Sequence, residues 1–168
     1  MSFYDLAHQT ALHGYVYKQL GFAKIASADT VKFSAPGSKQ IEGSICAGPS
    51  GEQLVIAAKH NPKAIIITDS RIDRKLIATM KDRNVMLCVP FDRIVGSAGL
   101  RRSSAIYMTS KMVTYAIKKQ IRVAFVSLAA SEEMLCSTIQ LIELTKLLGV
   151  GEEYAREAIG KTNLELIS

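Results

Sequence analysis

Short β-branched apolar runs alternate along this chain with segments of helical period, and that rhythm limits the fold more than any other feature. The clearest run, Ala64-Ile65-Ile66-Ile67-Thr68, is apolar at consecutive positions, as expected of a strand covered on both faces. Strands separated by helix-length segments do not form hairpins; they lie parallel, with each helix as a crossover. Strands are predicted at Phe3–Leu6, Phe22–Ser27, Ile41–Ala47, Ala64–Thr68, Val85–Val89 and Ile121–Ser127, with a short last one at Leu164–Ile167. Helices are predicted at His8–Leu20 (ended by Gly21), Glu52–Lys59, Ile72–Arg83 (capped by Ser70 or Asp69), Arg102–Gln120, Ser131–Leu148 and Glu152–Ile159. Pro36 and Gly37 leave Ala28–Gln40 at best a short, broken helix.

Six or seven such βα units fit a closed barrel better than an open sheet. The expectation is a single α/β domain over residues 1–168: a compact TIM-barrel-like repeat with a parallel sheet of about seven strands. A full eight-unit barrel usually needs about 250 residues, so short loops and a reduced or missing unit are expected.

Composition excludes several classes. The apolar fraction of 48% and charged fraction of 21% are those of a globular protein. No apolar run reaches the roughly 18 residues of a membrane span. The opening residues carry neither a basic nor an apolar leader, so a cytoplasmic location is expected. Cys46, Cys88 and Cys136 stand far apart in apolar surroundings and read as buried thiols, not a disulfide framework or zinc site.

The formal net charge is +6, and Arg101 to Arg122 carries six basic residues and no acidic one. Arg101 and Arg102 open the helix, where the dipole favours anions, so dipole complementarity does not explain them. Phosphate contact does, because guanidinium binds phosphate bidentately; ordinary ion pairs at a loop edge are the alternative. Lys111 and Lys118 share a helix face, followed by Lys119 and Arg122, and read either as a solvated surface or as an RNA contact. Tyr107 and Tyr115, eight apart, read first as core-facing, with base stacking as the sharper alternative. The C-terminal third is acidic, which suggests one nucleic-acid-facing side and another facing solvent or a protein. Gly48-Pro49-Ser50-Gly51 lacks the lysine and length of a phosphate loop and reads as a turn.

The order of features in the second half resembles a known family. The strand Asn84–Val89 is followed by the helix from Arg102 containing Lys111. Then come Ile121–Ala129 with Ser127-Leu128-Ala129, Lys146-Leu147-Leu148-Gly149-Val150, Glu153–Ile159 and Asn163–Ile167. This is similar to the barrel subunit of archaeal and eukaryotic ribonuclease P, protein component 3 in archaea. The resemblance covers roughly Gly51 to Ser168, and the first fifty residues only as a strand–helix rhythm. Where the family has Arg-x-Pro near the start of its penultimate long helix, this chain has Cys136-Ser137-Thr138. Where the family has Arg-Pro after the fifth strand, it has Asp92-Arg93, so Arg93 stands in from a shifted position.

The resemblance implies a subunit supporting RNA-catalysed removal of the 5′ leader from precursor tRNA, with no chemistry from this chain alone. It implies as partners the ribonuclease P RNA, the small ferredoxin-like protein component 2, other subunits and, indirectly, precursor tRNA. No cofactor is expected on this chain, and Mg2+ belongs to the RNA of the holoenzyme. The expected RNA-binding residues are Arg93, Arg101, Arg102, Lys111, Lys118, Lys119 and Arg122.

The alternative is a barrel enzyme: a metal-dependent phosphoesterase, or one acting on a phosphorylated metabolite, using Asp69, Asp92 and Ser127 at the strand ends. Related phosphoesterases carry Asp-x-His-x-His on the first strand. Here Ala7 and Gln9 follow Asp5 at the histidine positions, and His8 is out of phase. With only His8, His13 and His60, a multi-histidine metal centre is hard to build.

Overall fold

The computed structural model describes residues 2–7, 16–27, 30–131 and 134–168. Among them β1 (Tyr4–Ala7) pairs in parallel with β2 (Lys24–Ser27), Tyr4 opposite Lys24. A second parallel sheet holds β3 (Phe33–Ser34), β4 (Ile45–Gly48), β5 (Ala64–Ile67), β6 (Met86–Pro90) and β7 (Val123–Val126), in sequence order. The helices are α1 (Val16–Gln19), α2 (Glu52–Lys59), α3 (Arg74–Asp82), α4 (Asp92–Val95), α5 (Gly99–Lys118), α6 (Thr138–Leu147) and α7 (Glu152–Glu157). A π-helical turn, Ala158–Thr162, carries α7 into α8 (Asn163–Ile167). No described helix is long and apolar enough to cross a membrane.

Strand alternation splits the core in two. Ile65, Ile67, Leu87, Val89, Val123 and Phe125 point to the face packed under the helices. Ala64, Ile66, Met86, Cys88, Ala124 and Val126 form a second cluster on the opposite face, with Leu6 of β1 and Ala26 of β2. Leu166 and Ile167 join this cluster, so α8 covers that face near the amino ends of the strands. Burial on both sides is why these strands are uninterruptedly apolar.

The barrel expectation needs correction. Among the described residues the strands form a five-stranded and a two-stranded sheet, and no closed barrel. β3 has only two paired residues, too few to carry a ladder round to β2. β1 nevertheless lies along β7, and the seam is bridged by side chains. The Asn163 amide accepts from Phe125 N (3.1 Å) and donates to the carbonyls of Phe125 (2.6 Å) and Tyr4 (2.8 Å). Further along, Asp5 Oδ1 accepts from Ser127 N at 2.7 Å, and Leu128 N donates to Leu6 O at 2.8 Å. Asn163 thus replaces a missing rung of the ladder and is itself fully buried.

Four local expectations also change. Ala28–Gln40 contributes β3 instead of a broken helix, because Lys32 O accepts from Ile45 N and draws the segment against β4. Asp73 caps α3, accepting from Lys75 N and Leu76 N; Ser70 takes a left-handed φ of 52° and Asp69 is engaged elsewhere. α6 starts at Thr138, not Ser131, because Ser137 and Gln140 form a capping box; Glu133 lies outside the described residues. Leu164–Ile167 is helical, since it continues the turn begun by α7.

The basic helix starts at Gly99, earlier than expected, and α2 matches its predicted bounds. Of the helix predicted at His8–Leu20, residues 8–15 lie outside the described residues. Gly21 follows it with φ +86°, and the Thr138 side chain fills the space a β-carbon would need. The three cysteines are buried and free.

Candidate nucleic-acid interface

α5 buries Thr109, Met112, Val113 and Ala116 and turns the opposite stripe to solvent. Its twenty residues contain no carboxylate. Gln120, at φ 62°, ends the helical path after Lys119, so cations stand at both ends of the helix. Arg101 and Lys119 are about 27 Å apart along the axis at 1.5 Å per residue.

The seven predicted residues are spread along this helix and beyond both of its ends, and they are not all employed alike. Arg93, on α4, and Arg101 are exposed beside the carboxyl ends of β5 and β6. Arg102 is differently employed. Its Nε donates to the carbonyls of Ser97 (2.6 Å) and Ile94 (3.1 Å), and Nη2 to that of Val95 (3.2 Å). It closes the carboxyl end of α4 and fixes the loop into α5. Lys111 lies 4.2 Å from the centre of the Tyr107 ring, and Lys119 is 5.7 Å from that of Tyr115. Lys118 is exposed. Arg122, at the amino end of β7, pairs with Glu165 of α8 and sits at the far end of the stripe. The tyrosines separate as well: Tyr107 is 57% exposed, against the core-facing expectation, while Tyr115 packs partly buried on the core.

The structure adds a second row that the sequence reading passed over. α3 runs beside α5: Lys81 Nζ donates to Gln120 Oε1 at 3.3 Å, and the Ser70 and Thr109 hydroxyls are 3.4 Å apart. Arg74 and Lys75 open α3, and Arg83 follows it, all exposed. Residues 71–122 hold twelve basic and three acidic side chains, so this flank carries more than the chain's whole net charge of +6. Like Arg101, Arg74 and Lys75 occupy a helix amino end, where cations are disfavoured. Their density at 71–83 was visible in the sequence, but only the β5–α3–β6 topology places it beside α5.

Between α5 and the carboxyl ends of the strands lies a cleft of about 760 Å³. Ile66, Val89, Met108 and Leu128 form apolar wall, and Arg93, Arg101, Asp69 and Asp92 provide its charge. Asp69 is committed to the fold. It accepts from Ser50 N (3.1 Å), Ser50 Oγ (2.8 Å) and Arg71 N (3.3 Å), which ties the Gly48–Gly51 turn to β5. Partial burial would raise its pKa, but these donors outweigh it and hold the carboxyl below the usual aspartate value. Ser127, the third strand-end residue considered for catalysis, is buried: its N–H serves Asp5 and its hydroxyl accepts from Cys136 N at 3.4 Å.

Asp5 is also wholly buried, and among the described residues its Oδ2 has no hydrogen-bond partner. Burial pushes its pKa up to about 7, against the lowering effect of the Ser127 hydroxyl and the Ser127 and Leu6 amides. Among the described residues no three His, Cys, Asp or Glu side chains stand close enough to share a metal ion. His8 and His13 lie outside the described residues.

On the far side of the molecule, cations are paired. Lys146 contacts Glu143 (2.9 Å) and Glu152 (3.5 Å), and Arg156 contacts Glu152 at 2.8 Å. The Cys136-Ser137-Thr138 segment, where the resembled family carries a basic residue, caps α6, and Thr138 Oγ1 donates to Leu20 O at 2.9 Å.

No family model matches this sequence, and no curated protein matches it. Among solved structures, a chain from the cryo-EM structure of archaeal ribonuclease P with mature tRNA is similar at a TM-score of 0.71 and 15% identity, covering 99% of this chain and 80% of that one. The crystal structure of A. niger ochratoxinase is similar at a TM-score of 0.57 and 17% identity, covering 76% of this chain but only 31% of that one. At these identities the likeness is one of fold: this chain adopts the α/β fold of a chain found in archaeal ribonuclease P.

Proposed function

We propose that this protein is an RNA-binding subunit of a ribonuclease P-type enzyme and supports maturation of the 5′ end of tRNA. The observation that carries the proposal is the fold shared, over 99% of the chain, with a chain of archaeal ribonuclease P bound to mature tRNA. The basic α3–α5 flank supplies a physical means. Arg74, Lys75, Arg101, Lys111 and Lys118 neutralise backbone phosphates, Arg93 extends the row, and Arg102 holds the α4–α5 corner that presents it. Lys119 and Arg122 mark its lower end. The RNA and its Mg2+ supply the chemistry in this reading, and this chain adds affinity and order. The acidic α6–α8 side is left for a protein neighbour, with the small ferredoxin-like subunit as the first candidate, and the assembly works in the cytoplasm.

The test is cleavage of precursor tRNA by ribonuclease P RNA with and without this chain and that small subunit. Stimulated cleavage at the mature 5′ end is expected, and binding should weaken by about one logarithmic unit per phosphate contacted for each tenfold rise in salt. Unchanged cleavage with folded partners, or salt-independent binding, overturns the proposal.

A second reading has one observation in its favour, the cleft at the carboxyl ends of the strands, where parallel α/β enzymes place their sites. In it the chain is a hydrolase of phosphorylated compounds. Hydrolysis by the protein alone, abolished by a chelator, would establish it.

A further inference from the structure

We infer that the cleft beside α5 binds one unstacked nucleotide, with its phosphate between Arg93 and Arg101 and its base on the wall formed by Met108 and Leu128. Both arginines line the cleft, both are exposed, and neither has an acidic partner among the described residues. The neighbouring Arg102 shows what the fold itself requires of a guanidinium here: three carbonyl contacts. Among the described residues Arg93 and Arg101 make no comparable contacts. Ser104, on the same lining, adds a hydroxyl one helical turn from Arg101.

The chemistry of the lining selects among anions. Asp69 and Asp92 share the lining and lower its net charge, so a bare anion gains less here than on a wholly basic surface. A ligand must also cover the apolar wall, and a base with its phosphate does both. At about 760 Å³ the cleft lies within the usual range of small-ligand sites, roughly 300–1,000 Å³, so a single nucleotide fits. Leu100, on the rim, is 89% exposed and would be covered by the incoming base or ribose. The cleft opens at the upper end of the basic stripe, so a strand lying along α5 passes its mouth.

This inference rests on the RNA-binding reading only for the source of the nucleotide. The experiment is a titration of the labelled protein, followed by amide chemical shifts, with nucleoside 5′-monophosphates, nucleosides, inorganic phosphate and a single-stranded hexanucleotide. Monophosphates should shift Ser97, Arg101, Ser104 and Met108 saturably, with nucleosides and phosphate at least about tenfold weaker. Arg93→Ala with Arg101→Ala should abolish the shifts, and Arg101→Lys should retain part of them with an unchanged melt. Tighter binding of the hexanucleotide identifies an RNA strand as the source; equal binding identifies the free nucleotide. No saturation by about 10 mM, phosphate binding as tightly as nucleotide, or shifts confined to α3 and the outer face of α5 overturns the inference. Nucleotide binding without stimulated precursor cleavage would instead sink the ribonuclease P reading and leave this site standing.

Discussion

The α3–α5 flank and the β1–β7 seam use polar side chains in opposite ways. Along the seam each has work inside the fold: Asn163 bridges two strands, Asp5 holds Ser127, and Arg122 meets Glu165. Along α3 and α5, Arg74, Lys75, Lys111 and Lys118 stand exposed without an acidic partner among the described residues. The same residue types thus carry stability in one region and are available for an external partner in the other. Charge density alone does not separate the two; the presence of an internal partner does.

The largest expected effect is at the seam. Asn163→Leu removes three hydrogen bonds and leaves buried backbone groups of Phe125 and Tyr4 unsatisfied. A loss of about 4 kcal/mol is expected in urea unfolding, with RNA affinity of the folded fraction unchanged. A loss below about 1 kcal/mol would show that the seam is not held by this amide.

Asp5 gives the seam a pH signature. Its folded pKa, about 7, lies above the ordinary 3.8, so the native state holds a proton that the unfolded chain releases. The associated stability is fully present below about pH 4, falls as pH rises through 7, and is flat above. At roughly 1.4 kcal/mol per pKa unit the whole decline is at most on the order of 4 kcal/mol. Asp5→Asn should flatten it and leave the protein more stable than the parent at pH 8. A slope that persists in Asp5→Asn assigns the effect to another group.

On the other flank, Arg74→Glu, Lys75→Glu, Lys111→Glu and Lys118→Glu together should weaken RNA binding by at least about 100-fold at low salt, through lost phosphate contacts and added repulsion. The thermal midpoint should change little, because none of these side chains has an acidic partner among the described residues and the stack of Lys111 on Tyr107 is an exposed contact. Reversing Lys146 and Arg156 should do the converse: little change in RNA binding and a small fall in stability. Equal losses of RNA binding from both sets would erase the distinction between the flanks.

The smallest effect is expected at the boundary between them. Arg122→Ala removes an exposed pair with Glu165, costing less than about 1 kcal/mol. Its effect on RNA binding should be weaker than that of Lys118→Ala, because Glu165 already offsets its charge. The reverse order in a filter-binding series would return Arg122 to the RNA-contacting set.

What the sequence made legible was local. α2 is legible because the Gly48–Gly51 turn sets off Glu52–Lys59, and β5 because consecutive apolar positions leave no helical stripe. The basic character of α5 needs only a count. What escaped depends on distant partners. β3 exists because β4 lies beside it, and Asp5 matters because Ser127, 122 residues away, points an amide at it. The row on α3 escaped for a related reason. Asp73 and Asp82 dilute its charge in sequence, while Asp73 spends its carboxylate on the helix cap in space.

The Asn163 bridge also orders events in time. It links residues 159 positions apart, so Asn163 is synthesised long after Tyr4. Until Asn163 has left the ribosome, the β1–β2 pair and the five-stranded sheet can form but the amide linking β1 to β7 cannot. β1, made long before β7, must therefore keep the edge away from β2 unsealed until Asn163 emerges, and that edge is the part a chaperone would need to shield.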